Sequence, residues 1–372
     1  GGMVIVSAAD PSCHTAPNEQ DQRHLGRMLG IPTLDPASPD EAREMTRFAF
    51  ELSEAAELPV LLRITARVAH TRAPVRLAAF AAPRPAPTSF VRRPERFVPV
   101  PASARRLRLR LGERLDLAQR WLAGSPFVTR RGGAGRRGLV TTGAPDLLVA
   151  DLLGQLGLAD EVPVIRIGTV HPLPDAPILE FMRAVDHVLV VEELTPYLED
   201  SLLAMAHHYR IPARIEGKRT GAMPWPYELG PDVLLPALRA FLGFAVEAAA
   251  TSQPVPTLPA RPPSLCPGCP HSATFVAARL VFGSATVYVN DIGCYTLGHL
   301  PPHEAGDAIL SMGASLPIAA AIARVTGQRT VAFLGDSTFF HSGMPALANA
   351  VANDDDVVLV VLDNKATSMT GH

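Results

Sequence analysis

Two apolar runs in this chain end in polar residues that constrain each other. Val331-Ala332-Phe333-Leu334 stops at Gly335-Asp336-Ser337, and the run from Val357 to Leu362 is closed by Asn364. Asp336 and Asn364 stand 28 positions apart, the length of a strand end, a turn, a helix and a returning strand. That spacing confines the segment to a parallel α/β arrangement in which both strands finish at the same sheet edge. A carboxylate and an amide oxygen then arrive together. Mg²⁺ takes hard oxygen ligands and commonly shares them with phosphate, so the pair suits an ion bridging a diphosphate, with the carbonyl of Ala366 as a third ligand. Gly335 lets backbone approach closely, and the helix opening after it offers free N–H groups to phosphate. A plain strand-end turn would also use Gly-Asp-Ser. Asn364 and the polar run Thr367-Ser368-Met369-Thr370-Gly371 favour the ligand reading.

The same alternation recurs along the chain. Met3–Ala8, Pro59–Ile64, Gly138–Thr142, Val164–Ile167, His187–Val191, Val287–Asn290, Thr330–Leu334 and Val357–Leu362 read as strands. Asp40–Glu57, His271–Phe282, Ala308–Val325 and Met344–Asn353 read as helices. Continuous apolar strands alternating with helices imply α/β architecture with doubly wound, mostly parallel sheets. Three blocks follow, residues 1–66, 130–245 and 264–372. They are separated by a Pro/Arg-rich connector, 67–129, and a Pro-rich linker, 246–263. The arginines of the connector read as a solvated face.

With 372 residues the chain has room for two or three domains. Aromatics are only 6% of it, so cores must come from Ala, Val and Leu. A net charge of −2 argues against nucleic acid as a partner. No run of 18 apolar residues is present, which argues against a transmembrane helix, and a cytoplasmic location is expected. The chain opens on Gly1-Gly2-Met3 and reads as an internal segment of a longer protein.

Four cysteines do not make a secreted disulfide scaffold. Cys266-Pro267-Gly268-Cys269 is a redox pair, a zinc half-site or an iron–sulfur half-site. With Cys294, three thiolates could hold one iron–sulfur cluster, given a fourth ligand beyond residue 372. Cys13 stands apart as a bystander. His271 and His341 read as structural or capping residues, Glu192-Glu193 as a solvated strand end, and Gly132-Gly133-Ala134-Gly135 as a flexible turn without the spacing of a phosphate loop.

Together these motifs resemble a family. Gly335-Asp336-Ser337…Asn364 is similar to the thiamine-diphosphate motif, with Ser337 in place of its second glycine. Cys266-Pro267-Gly268-Cys269-Pro270-His271 and Asp291-Ile292-Gly293-Cys294-Tyr295-Thr296-Leu297-Gly298 resemble the 2-oxoacid:ferredoxin oxidoreductases. Ala9–His14, Asn18–Asp21, Gly168–Pro174, Val191–Tyr197 and Thr367–His372 resemble their indolepyruvate-type large subunits. The likeness covers nearly the whole chain.

It implies a multi-domain thiamine-diphosphate-binding fold: the end of a pyrimidine-binding domain (1–66), a transketolase C-terminal-like domain (130–245) and the start of the diphosphate-binding domain (264–372). It implies oxidative decarboxylation of aryl 2-oxoacids to aryl-acetyl-CoA, with ferredoxin as electron acceptor, CoA as co-substrate and a smaller beta subunit as partner. Asp336, Asn364 and Ala366 would hold Mg²⁺. Gly335, Ser337 and Thr338 would line the diphosphate, and Cys294, Tyr295, Thr367, Met369 and Thr370 would touch the cofactor. Cys266, Cys269 and Cys294 match cluster ligands of relatives. The loop with His14, Asn18 and Glu19 would face substrate. The glutamate that activates the cofactor would precede Gly1. A non-oxidative thiamine enzyme (a decarboxylase or acetolactate-type lyase) would share the metal motif but carry no iron. An inert chain lacking the activating glutamate would share it too.

Overall fold

A computed structural model describes residues 2–75, 77, 89–245, 258–259 and 261–369. Most of the 246–263 linker, the connector positions Pro83, Pro85 and Pro87, and Thr370, Gly371 and His372 lie outside the described residues. The chain divides into two units, Gly1–Thr251 and Ser252–His372.

The first unit carries β1 (Val4–Ala9), β2 (Thr33–Leu34), β3 (Val60–Thr65), β4 (Val128–Arg131), β5 (Arg137–Thr141), β6 (Val164–Ile167), β7 (Thr169–His171), β8 (His187–Val191) and β9 (Arg214–Glu216). They form two sheets, ordered β1-β3-β2-β7 and β4-β6-β5-β8-β9. Each is parallel except for one pair, β2 with β7 and β4 with β6. The first two blocks are therefore not separate bodies. Gly168 alone separates β6 from β7, and the chain passes there from one sheet to the other. Gly132–Gly135 lies between β4 and β5 and leads into a strand, not a helix.

The helix Pro39–Ala56 starts as its sequence directs. Ser38 Oγ accepts the Glu41 N–H at 3.2 Å, Pro39 occupies the first turn, and Asp40 and Glu41 face the positive end of the helix. Met45, Ala49, Leu52 and Ala56 recur at helical spacing and are buried in one core with Leu62 of β3. The connector reading needs correction here. Pro101–Ala123 is a 23-residue helix. Its arginines mask an apolar stripe, Leu111, Leu115, Ala118 and Leu122, that packs into that same core.

The second unit holds β10 (Val287–Val289), β11 (Thr330–Gly335) and β12 (Val357–Leu362), parallel, with β11 central. All six residues of β11 are buried. Val331 and Phe333 pack with Phe275 and Tyr288 on one face, and Ala332 packs with Leu316 and Ala319 on the other, the double covering that a parallel strand requires. The helix expected from Ala308 begins only at Ser315. The buried Asp291 carboxylate accepts the N–H groups of Gly313 and Ser315 at 2.9 and 3.2 Å and fixes the preceding turn. Among the described residues no helix is long and apolar enough to cross a membrane.

Candidate functional site

Parallel pairing sets Gly335 beside Leu362, so Asp336 and Asn364 leave the sheet at one edge. The chain turns there through Lys365, which adopts a left-handed φ of 55°. The Lys365 N–H donates to Asp336 Oδ2 at 2.8 Å and the Ser337 N–H to Oδ1 at 2.7 Å. Asn364 Oδ1 accepts the Ala366 N–H at 3.2 Å, and its Nδ2 donates to Ser368 Oγ at 3.4 Å. The Ser337 N–H, followed by that of Lys365, holds the Asp336 carboxyl below the usual carboxylate range. Each Asp336 oxygen keeps lone pairs beyond these bonds, and Asn364 adds a neutral oxygen. This is a hard-oxygen donor set of the kind that suits Mg²⁺.

These residues line one cavity of about 140 Å³. Asp336, Ser337, Thr338, Asn364, Ala366, Thr367 and Met369 border it from one side of the motif, and Cys294 and Tyr295 border it from the 291–295 loop. Gly335 is absent from the lining because Tyr295 covers it: a Cβ at Gly335 would stand 2.1 Å from the Tyr295 hydroxyl. The volume is below the roughly 300 Å³ at which pockets begin to enclose a drug-sized ligand, so it has room for only part of such a molecule.

Other lining residues were not expected as site residues, Ser368 of the polar run among them. Ile292 and Gly293 belong to the same motif as Cys294, and Met312 precedes the turn that Asp291 caps. His271, expected to be structural, also borders the cavity. Burial lowers its imidazole pKa, offset in part by the Asp336 carboxylate.

The expected cluster ligands are close but do not form a set. Cys266 is exposed, Cys269 and Cys294 are half-buried, and all are free thiols. Burial pushes the Cys294 thiol up, and the neighbouring Cys269 and Cys266 add to the effect. Among the described residues no group of three or more His, Cys, Asp or Glu is placed to hold a metal ion.

In the first unit, Glu192 and Glu193 correct the sequence expectation. They are 0% and 5% exposed, not solvated. Arg23 Nη1 donates to Glu192 at 2.5 Å, and the N–H groups of Leu198 and Glu199 donate to the same carboxylate at 2.9 Å. Arg23 Nη2 also donates to Asp21 at 2.6 Å and to the Glu193 carbonyl at 2.7 Å, which pins the end of the 10–22 loop. His14 and Asn18 are exposed on that loop. Glu19 is spent on the N–H groups of Ser12 and Tyr227, at 2.8 and 2.9 Å.

Residues 291–372 match the thiamine pyrophosphate enzyme family in its C-terminal TPP binding domain. The whole chain aligns with indolepyruvate oxidoreductase subunit IorA of Methanothermobacter thermautotrophicus at 42% identity and of Archaeoglobus fulgidus at 38%. It spans about 60% of the length of each of these relatives. A solved 2-oxoglutarate:ferredoxin oxidoreductase from Magnetococcus marinus superposes with a TM-score of 0.43 and 14% identity, over 64% of this chain and 48% of that one.

Proposed function

We propose that the chain, similar over its whole length to indolepyruvate oxidoreductase subunit IorA, belongs with that family and that its second unit supplies the diphosphate end of a thiamine-diphosphate site in an oxidoreductase of aryl 2-oxoacids. The observation that carries this reading is the meeting of Asp336 and Asn364 at one sheet edge beside a cavity, inside the segment that matches a thiamine pyrophosphate domain. Thiamine diphosphate, when bound, supplies the nucleophilic carbon and electron sink that let a 2-oxoacid lose CO₂. Asp336, Asn364 and the Ala366 carbonyl would hold Mg²⁺. Gly335, Ser337 and Thr338 would border the diphosphate, and Cys294, Tyr295, Thr367 and Met369 the rest of the cofactor. With the thiol of Cys294 raised by burial and the imidazole of His271 lowered by it, the cavity presents both as neutral groups at neutral pH. Asp336 stays ionised for the metal.

In the intact enzyme we place aryl-acetyl-CoA as the product, ferredoxin as the acceptor through iron–sulfur centres, and a smaller beta subunit as the partner. Iron and sulfide in the purified complex separate this from a non-oxidative thiamine enzyme. Calorimetric titration of the chain with thiamine diphosphate and Mg²⁺ tests the site. Binding should require the metal. Asp336→Ala should weaken it by at least about tenfold, since a single charge-assisted contact is worth about 1.5–3 kcal/mol. Binding that ignores both Mg²⁺ and Asp336→Ala refutes the assignment.

A further inference from the structure

Where β10 ends, the chain builds another polar pocket, which shares no lining residue with the cavity of Asp336. Ala308 bridges Val289 in parallel. The Asp307 N–H donates to the Tyr288 carbonyl at 2.7 Å and the Asn290 N–H to the Ala308 carbonyl at 2.9 Å. The Ala305 N–H, on the Gly298 carbonyl at 2.8 Å, closes the loop between them. Asn290 and His299 then converge on Gly306: a Cβ there would stand 2.8 Å from Asn290 Nδ2 and 2.8 Å from His299 Cβ. Asn290, His299 and Asp307 line the resulting space of about 390 Å³, beside Ala308 and Ile309.

The polar atoms left over in this pocket are acceptors. Asn290 is 2% exposed. Its Nδ2 donates to the Tyr295 carbonyl at 2.7 Å, which orients the amide and leaves Oδ1 buried with no partner among the described residues. A buried acceptor without a donor is costly. His299 Nδ1 lies 2.7 Å from the Thr296 carbonyl. A carbonyl only accepts, so Nδ1 carries the proton and Nε2 of the neutral ring is an acceptor. Asp307 Oδ2 accepts the Tyr288 N–H at 2.8 Å, which leaves Oδ1 for a ligand. Thr296 Oγ1 is spent, donating to the Asp291 carbonyl at 2.9 Å and accepting the Gly293 N–H at 3.3 Å. Three acceptors, one of them anionic, match a primary ammonium, which carries three donors and no acceptor. A bare metal ion matches less well, because the space exceeds one ion and only one of the three groups is charged.

We propose that this pocket binds the primary ammonium of a small alkylamine. The ammonium donates one N–H each to Asn290 Oδ1, His299 Nε2 and Asp307 Oδ1, and the alkyl chain lies along Ala308 and Ile309. The buried amide sets the selectivity: a quaternary ammonium of equal charge leaves Asn290 Oδ1 unpaired. The proposal is independent of the thiamine reading.

The test is saturation-transfer NMR on the 372-residue chain at neutral pH. The probe is n-butylammonium, titrated in excess potassium chloride so that a site taking any monovalent cation stays blocked. One saturable isotherm with a Kd of about 1–10 mM is expected. Tetramethylammonium and n-butanol should bind at least about tenfold more weakly. His299→Leu and Asp307→Asn should each weaken n-butylammonium by about threefold or more at an unchanged urea midpoint. The comparison of the two ammonium ions on the parental chain decides the matter whether or not a variant folds. No saturable binding, equal affinity for tetramethylammonium, or folded variants that bind like the parent overturns the proposal. So does competition by thiamine diphosphate and Mg²⁺, which would put the amine in the other cavity.

Discussion

Replacing Gly335 with alanine tests the site through packing alone. Gly335 has a φ of −76°, so an alanine backbone is not strained there. Space is the obstacle. The new Cβ would lie 2.1 Å from the Tyr295 hydroxyl and 2.8 Å from two of its ring carbons, against an ordinary separation of about 3.5 Å. The hydroxyl end must retreat by roughly 1.4 Å to restore normal contact. The ring has little freedom to do so, because it also runs close over Gly293, where a Cβ would stand 2.5 Å from Tyr295 Cζ. Overpacking of this kind costs about 1–3 kcal/mol, which should appear as a lower urea midpoint at unchanged slope. Tyr295 lines the proposed cofactor cavity, so the displaced ring should also weaken thiamine diphosphate binding in calorimetry. Combining Gly335→Ala with Tyr295→Ala removes the clash. The double variant should be more stable than the sum of the single effects predicts, by about 1 kcal/mol or more. A Gly335→Ala chain with parental stability and binding, or strictly additive effects in the cycle, would refute the argument that Tyr295 is what requires glycine at this position.

Three further outcomes follow from the first unit. Arg23→Met strands the fully buried Glu192 carboxylate and should cost about 3–5 kcal/mol; a loss under about 1 kcal/mol in denaturant unfolding contradicts the ion-pair reading, and adding Glu192→Leu should recover part of the loss. Burial holds His171 at about 4, against an ordinary 6.5. Its unfolded form therefore binds protons first, so stability present above pH 6.5 should fall as pH drops toward 4; His171→Gln should flatten that part of the curve, and parallel curves for parent and variant would rule it out. Leu122→Ala, at 0% exposure on the helix of the supposed connector, should cost about 2–5 kcal/mol, whereas a mere surface tether would tolerate it within about 0.5 kcal/mol.

What the sequence revealed depended on how far apart the cooperating residues lie. Strands β6, β8 and β12 are mostly apolar, with Arg166 and His187 as the polar exceptions, and their observed ends coincide with those expected. The Asp336–Asn364 pair was legible for the same reason: one strand–helix–strand unit fixes both ends. Glu192 was misread because its partner, Arg23, stands 169 positions away, and nothing local distinguishes a buried acidic pair from a solvated one. In the Pro101–Ala123 helix, arginines surround the stripe, so composition outweighed a regular four-and-three spacing that a periodicity count would have found. His271 is a third case. Its place beside the cysteines was visible, but its presence in the Asp336 cavity depends on how the Pro270–Phe282 helix packs against β11 through Phe275 and Phe333, whose rings lie 4.9 Å apart. Chemistry borne by one supersecondary unit can thus be read from spacing, whereas chemistry completed by packing between units becomes visible only once the core is in place.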